Sequence, residues 1–115
     1  MADSDDQAFL DGQQYTRQSI TLYESIYGVD FVSPGGALVA RDLIERMDLP
    51  NGARVLDAGC GLGGSSFMMA REFGLQVTGM DLSVNMLDIA REKLTGHGLE
   101  GRVELVHGDL SLIHI

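Results

Sequence analysis

The run Val55-Leu56-Asp57-Ala58-Gly59-Cys60-Gly61-Leu62-Gly63-Gly64 constrains this chain more than any other segment. Its apolar start reads as a buried strand. The glycines that follow read as a tight loop opening a helix. A strand feeding a helix through glycines is a parallel-sheet device. Such a loop offers bare N–H groups and the positive end of a helix dipole, which suits anions. Gly59, Gly61 and Gly64 satisfy the G-x-G-x-x-G spacing of dinucleotide sites. Asp57 argues the other way, because a carboxylate just before the first glycine repels a pyrophosphate. The same carboxylate favours a ligand that carries ammonium and sulfonium charge beside a single carboxylate.

The rest of the chain supplies the context. Residues 1–11 read as a frayed acidic tail. Tyr15, Ile20, Tyr23 and Tyr27 fall on one face of a helix expected over 13–27, which Gly28 would stop. Residues 29–34 read as a connector, since Pro34 disfavours helix at Ser33. A helix over 37–47 is expected to bury Val39, Ala40, Leu43, Ile44 and Met47. Strands are expected at 54–56, 76–80 and 103–106, and helices at 65–73 and from Ser83 to Leu94. This β-α-β-α-β order predicts a parallel sheet with right-handed crossovers. Ligands of such sheets bind at the carboxyl ends of the strands. Asp57, Asp81 and Asp109 all fall at those ends.

Asp81 follows Gly61 at about 20 residues, a spacing that lets a carboxylate accept ribose hydroxyls. Asp109 is placed to accept from an adenine amine, and Asp57 to hold an ammonium group. Gly59 and Gly61 would let backbone approach the ligand where a Cβ would intrude. A cationic nucleoside fits this pattern, and S-adenosylmethionine (SAM) is one. Cys60 reads as a loop filler, because no histidine is placed to activate it. His97 lies between glycines and is expected to face solvent, and His107 is not expected to be catalytic. Met68, Met69 and Met86 read as core. Arg17 and Arg41 suit either a substrate phosphate or surface ion pairs. No Cys, His or acid cluster has metal-ligand spacing.

Bulk properties narrow the partners. The chain has 115 residues, enough for one small domain, and 44% are apolar, enough for a core. A net charge of −9 argues against nucleic acid and against an anionic membrane surface. No apolar run approaches the roughly 20 residues of a membrane span. The acidic start is unlike a signal peptide, and a single cysteine cannot form an internal disulfide. A cytoplasmic location is therefore expected.

The segments Val55–Gly64, Gly79-Met80-Asp81-Leu82-Ser83 and Gly108-Asp109 resemble the first motifs of class I SAM-dependent methyltransferases. The N-terminal segments Gln14-Tyr15-Thr16, Tyr23-Glu24-Ser25-Ile26-Tyr27-Gly28 and Phe31-Val32-Ser33-Pro34-Gly35-Gly36 resemble those of phosphoethanolamine N-methyltransferases. The resemblance implies an α/β, Rossmann-like methyltransferase fold, incomplete at about three parallel strands and preceded by N-terminal lid helices. It implies a covering segment over 1–34 and a SAM-binding half-domain over 35–109. It implies that Tyr15 takes part in catalysis and that Gln14, Tyr15, Tyr23 and Ser33 line the substrate pocket. Ser33, Asp57, Gly59, Gly61, Asp81, Leu82 and Asp109 would contact SAM. The implied substrate is a small-molecule amine, phosphoethanolamine or its methylated forms. The family's catalytic histidine and basic phosphate ligands would lie beyond the last residues here.

Residues 110–115, Leu-Ser-Leu-Ile-His-Ile, translate the end of a common transposon adaptor. They are expected to be a non-native tail on a chain cut short, one that by itself binds SAM weakly or aggregates. Three other readings fit parts of the pattern. They are a SAM methyltransferase for glycine, sarcosine, a sterol or a lipid; an NAD-dependent oxidoreductase; and a SAM-binding domain without catalysis.

Overall fold

The computed structural model describes residues 4–109 and 111, apart from the side chains of 4, 5, 13 and 14. Leu110 and residues 112–115, most of the expected non-native tail, lie outside the described residues. Helix α1 (Ser4–Phe9) runs into a π-helical turn (Leu10–Gln14), followed by α2 (Arg17–Tyr27) and α3 (Gly36–Met47). The alternating part is β1 (Arg54–Ala58), α4 (Gly64–Phe73), β2 (Gln76–Asp81), α5 (Val84–His97) and β3 (Val103–His107). The sheet order is β1-β2-β3, all parallel, with Asp57 opposite Gly79 and Asp81 opposite His107.

Because the strands advance in one direction, right-handed crossovers place both α4 and α5 on one face. That face carries Val55, Val77, Gly79, Val103 and Leu105. Phe67, Met68, Met69, Ala70 and Leu75 fill the space between it and the helices. Phe67 is fully buried, and its truncation to alanine is expected to cost about 3–5 kcal/mol. A second cluster of Ile20, Leu62 and Met86 seats α2 on the glycine loop and α5. The other sheet face is bare among the described residues, and Leu56 stands 43% exposed on it.

Three expectations about local structure are corrected. Residues 4–14 are helical rather than a frayed tail, because Gln7 and Asp11 hydrogen-bond to the start of α5. The helix expected from Gln13 starts at Arg17, because the Thr16 hydroxyl caps it by accepting the Ser19 N–H at 3.1 Å. Tyr15 therefore sits in the break between two helices. On α3 only Ile44 of the expected stripe is buried, while Val39, Leu43 and Met47 are about half exposed. One side of α3 meets α4, and no described element covers the rest of its apolar face.

Candidate functional site

The glycine loop is tied down from within. The Gly59 and Cys60 N–H groups both donate to the Met80 carbonyl, at 2.7 and 2.9 Å. The Gly61 N–H donates to Asp81 Oδ2 at 2.8 Å, and the Gly63 N–H to the Cys60 carbonyl at 3.0 Å. Four backbone donors of this short loop are thus already used within the protein. Gly59 and Gly61 have φ of 72° and 56°, which is why glycine is required there. A Cβ on Gly59 would meet nothing within 4 Å, and one on Gly61 would meet Val32 Cγ2 at 3.3 Å. Backbone conformation thus asks for glycine at both positions, and packing against Val32 adds to this at Gly61.

The three acids occupy different environments. Asp81 ends β2 and accepts the Gly61 N–H with one oxygen and the Ser83 N–H, at 2.9 Å, with the other. It bridges the glycine loop and the start of α5. Asp57 lies beneath the loop on the helix-facing side of β1, where Oδ2 accepts the hydroxyl of buried Ser66 at 2.6 Å. Burial pushes the Asp57 carboxyl above its ordinary range, the Ser66 bond pulls it part of the way back, and the charge of Asp81 adds to the rise. Asp109 follows β3 and accepts the Ser111 N–H at 2.9 Å.

A cleft of about 600 Å³ opens at the carboxyl ends of the strands. Gly59, Asp81, Leu82 and Asp109 line it from the sheet side, and Leu10 and Tyr15 from the N-terminal strap. Its size is within the usual range for small-molecule sites. A larger hollow of about 960 Å³ lies against the bare face near Leu56, Thr78 and Glu104. It is distant from the strand carboxyl ends, where ligands of such sheets bind.

Tyr15 is the one aromatic in that cleft lining. Burial raises its phenol above the ordinary value, and the negative Asp81 and the neighbouring Tyr23 add to the rise. Tyr23 is thus brought near Tyr15, but it does not line the cleft. Gln14's side chain lies outside the described residues. Ser33 is exposed and outside the cleft lining, and its carbonyl accepts the Gly36 N–H at 3.2 Å. Asp57 is not part of the cleft lining, and neither is Gly61, whose N–H is held by Asp81.

Other residues fall into structural roles. Burial, with Asp81 and Asp57 beside it, pushes the Cys60 thiol up to about 12, so it stays protonated. Arg17 pairs with Glu92 and Arg41 with Glu72 at exposed sites. His97 is exposed as expected, but it also has partners. Its ring is 4.9 Å from that of Phe67, Nε2 is 3.0 Å from Asp30 Oδ2, and Nδ1 is 3.1 Å from Arg71 Nη1. Arginine only donates, so Nδ1 accepts and the ring proton on Nε2 goes to Asp30.

A loop with its donors turned inward, an acid at the end of β2 and a cleft at the strand ends suit a nucleoside without a diphosphate. The sequence agrees, since residues 55–114 match the methyltransferase domain family. The chain belongs to that family. Phosphoethanolamine N-methyltransferase 1 of Arabidopsis thaliana is 44% identical over 108 residues, covering 94% of this chain and 22% of the relative. The fold matches phosphoethanolamine N-methyltransferase 2 of Haemonchus contortus in complex with S-adenosyl-L-methionine. There the TM-score is 0.83 and the identity 43%, over 90% of this chain and 24% of that one. A second structure of that enzyme holds phosphomonomethylethanolamine and S-adenosylhomocysteine; it matches at TM-score 0.80 and 44% identity, over 86% and 23% of the two chains. The fold is thus Rossmann-like, of the SAM methyltransferase kind. The chain spans about a fifth to a quarter of the length of these relatives. Among the described residues no helix is long and apolar enough to cross a membrane.

Proposed function

We propose that the protein is a SAM-dependent N-methyltransferase acting on the amine of phosphoethanolamine or its methylated forms, in the cytoplasm. One observation carries the reading. Tyr15, borne on a strap ahead of the nucleotide fold, lines the same cleft as Gly59, Asp81 and Asp109. A domain that only held SAM would have no use for a phenol there. The likeness to phosphoethanolamine N-methyltransferases runs through this strap as well as through the glycine loop. In this reading residues 1–34 form the covering segment and residues 35–109 the SAM-binding part.

The residues present fit SAM. Asp81 would receive the ribose hydroxyls, Leu82 would pack beside the nucleoside and Asp109 would accept the adenine amine. Asp57, beneath Gly59, would offset the ligand's positive charge from below. SAM, when bound, supplies an electrophilic methyl carbon on positively charged sulfur. The chain's own task is to hold the amine in line with that carbon and to exclude water. Leu10 closes the apolar side of the cleft.

Tyr15 stays protonated near neutral pH, since burial and Asp81 both disfavour the phenolate. It therefore acts as a hydrogen-bonding and relay group for the amine proton, not as a standing base. Ser33, Gln14 and Tyr23 would complete the substrate side. The test is methyl transfer by the full-length gene product, offered phosphoethanolamine, glycine and sarcosine in parallel. Methylation of phosphoethanolamine, lost in Tyr15→Phe, is the expected result. Transfer to glycine or sarcosine alone would refute the substrate, and unchanged turnover by Tyr15→Phe would remove Tyr15 from the mechanism.

A further inference from the structure

The strap that carries Tyr15 is fastened at a point the proposed chemistry does not use. Asp11 sits in the π-helical turn ahead of Tyr15. Its Oδ1 accepts the hydroxyl of buried Ser83 at 2.6 Å and the Asn85 N–H at 2.9 Å. Its Oδ2 accepts the Val84 N–H at 3.2 Å and the Gln7 amide. Asn85 answers from the other side, where Nδ2 donates at 2.8 Å to the carbonyls of both Asp11 and Tyr15. Gln7 makes a second anchor. Its Nε2 donates to the Leu82 carbonyl at 2.8 Å, and His107 Nε2 donates to its Oε1 at 2.9 Å.

Helix capping alone does not explain Asp11. Helix α5 has its own cap in Ser83, whose Oγ accepts the Met86 N–H at 3.1 Å. The remaining N–H groups at a helix start need side chains, water or a ligand to meet them. Here a carboxylate from a distant part of the chain takes them, at the positive end of the helix. Burial works against its charge, but the bonds from Ser83, Asn85, Gln7 and Val84 outweigh burial and hold Asp11 below the ordinary carboxylate value. The Ser83 N–H is already given to Asp81. One short turn thus presents Asp81 to the cleft and grips the strap that brings Tyr15 over it.

We propose that Asp11 is a positioning residue: with Asn85 it clasps the strap to the turn of Asp81 and so fixes Tyr15 across the cofactor cleft. The clasp deepens the methyltransferase reading and rests on it. It makes strap closure and ribose binding share one structural element, so ligand held at Asp81 also steadies Tyr15.

The test compares Asp11→Asn, Asp11→Glu and Asn85→Ala with the unmodified full-length gene product. Asp11→Asn keeps size but turns an amide donor toward N–H donors. The readouts are amide exchange over residues 7–15 with and without SAM, SAM affinity, and kcat and KM on phosphoethanolamine. Asp11→Asn and Asn85→Ala are expected to speed strap exchange and lower kcat, each by about tenfold or more, given the charge-assisted bonds lost. Exchange of the core amides over 66–70 should not move, and Asp11→Glu should recover part of both losses. Unchanged strap exchange in both Asp11→Asn and Asn85→Ala, or a released strap with unchanged kcat, would overturn the proposal. If the unmodified protein methylates only another amine, the substrate reading fails. The exchange, SAM affinity and kcat on that amine then judge the clasp separately.

Discussion

Replacing Ser66 by alanine tests the account of Asp57. Ser66 is fully buried, and its hydroxyl is the group that opposes the effect of burial on the Asp57 carboxyl. Without it Asp57 moves further above its ordinary value. A charge-assisted bond of this kind is worth about 1.5–3 kcal/mol. That bounds the extra work of ionising Asp57 when a cationic ligand binds, and so bounds the loss of SAM affinity at roughly 10- to 150-fold. The pH dependence has a definite sign. Asp57 attracts the ligand only as a carboxylate, so affinity is full above its pKa and falls as pH drops through it. In Ser66→Ala that fall begins at higher pH. Folding stability runs the opposite way. A carboxyl raised above its unfolded value contributes stability that is present below that value and is lost as pH rises through the folded pKa. Titration calorimetry with SAM, from acid to mildly alkaline pH, reads the first effect. The ligand's own titration is common to both proteins, so their difference isolates Asp57. Superimposable affinity profiles would refute the assigned role of Asp57.

Asp81→Asn leaves one oxygen where two serve, so either Gly61 or Ser83 faces an amide donor. A loss of about 1.5–3 kcal/mol in stability is expected by denaturant unfolding, with SAM binding weakened at least about tenfold by calorimetry. Gly61→Ala forces a side chain to φ 56° and within 3.3 Å of Val32. It should cost about 1–2 kcal/mol through the backbone alone, and Val32→Ala in the same chain should recover only the steric remainder in a thermal melt. Lys93 Nζ lies 2.7 Å from Asp30 and 3.0 Å from Glu24, so Lys93→Met leaves two half-buried carboxylates facing each other. A loss of about 1–3 kcal/mol is expected by urea unfolding. Burial lowers the Lys93 ammonium, but its bonds to Asp30 and Glu24 outweigh that and raise it. Its stabilising share should therefore fade only in alkaline solution, as pH rises through the raised value, and the variant should lack that fade.

Some of the site was plain in the order of residues. Asp81 and Asp109 stand at the carboxyl ends of the second and third strands as expected, because a parallel strand delivers its last residue to one edge of the sheet whatever surrounds it. Tyr15 was legible only by likeness to a family motif, and its assignment to a continuous helix was mistaken. A cap at Thr16 competes with helix propensity on each side, and short-range pattern alone did not decide between them. His97 gave no sign of its tie to Asp30, since that pairing joins residues 67 positions apart. Asp11 and Gln7 were hidden for the same reason. A polar start reads as a tail until partners appear on α5.

The chain's own order of residues determined the alternating strands and helices after Asn51, the parallel sheet and the acids at its carboxyl edge, because hydrophobic period and glycine placement act over neighbouring positions. Tertiary structure alone decided which way the loop donors point, that Asp57 bonds Ser66 outside the cleft lining, and that the N-terminal strap lines the cleft. Those outcomes depend on who meets whom across long separations, where a carbonyl on β2 or a serine on α4 completes what the local sequence leaves open.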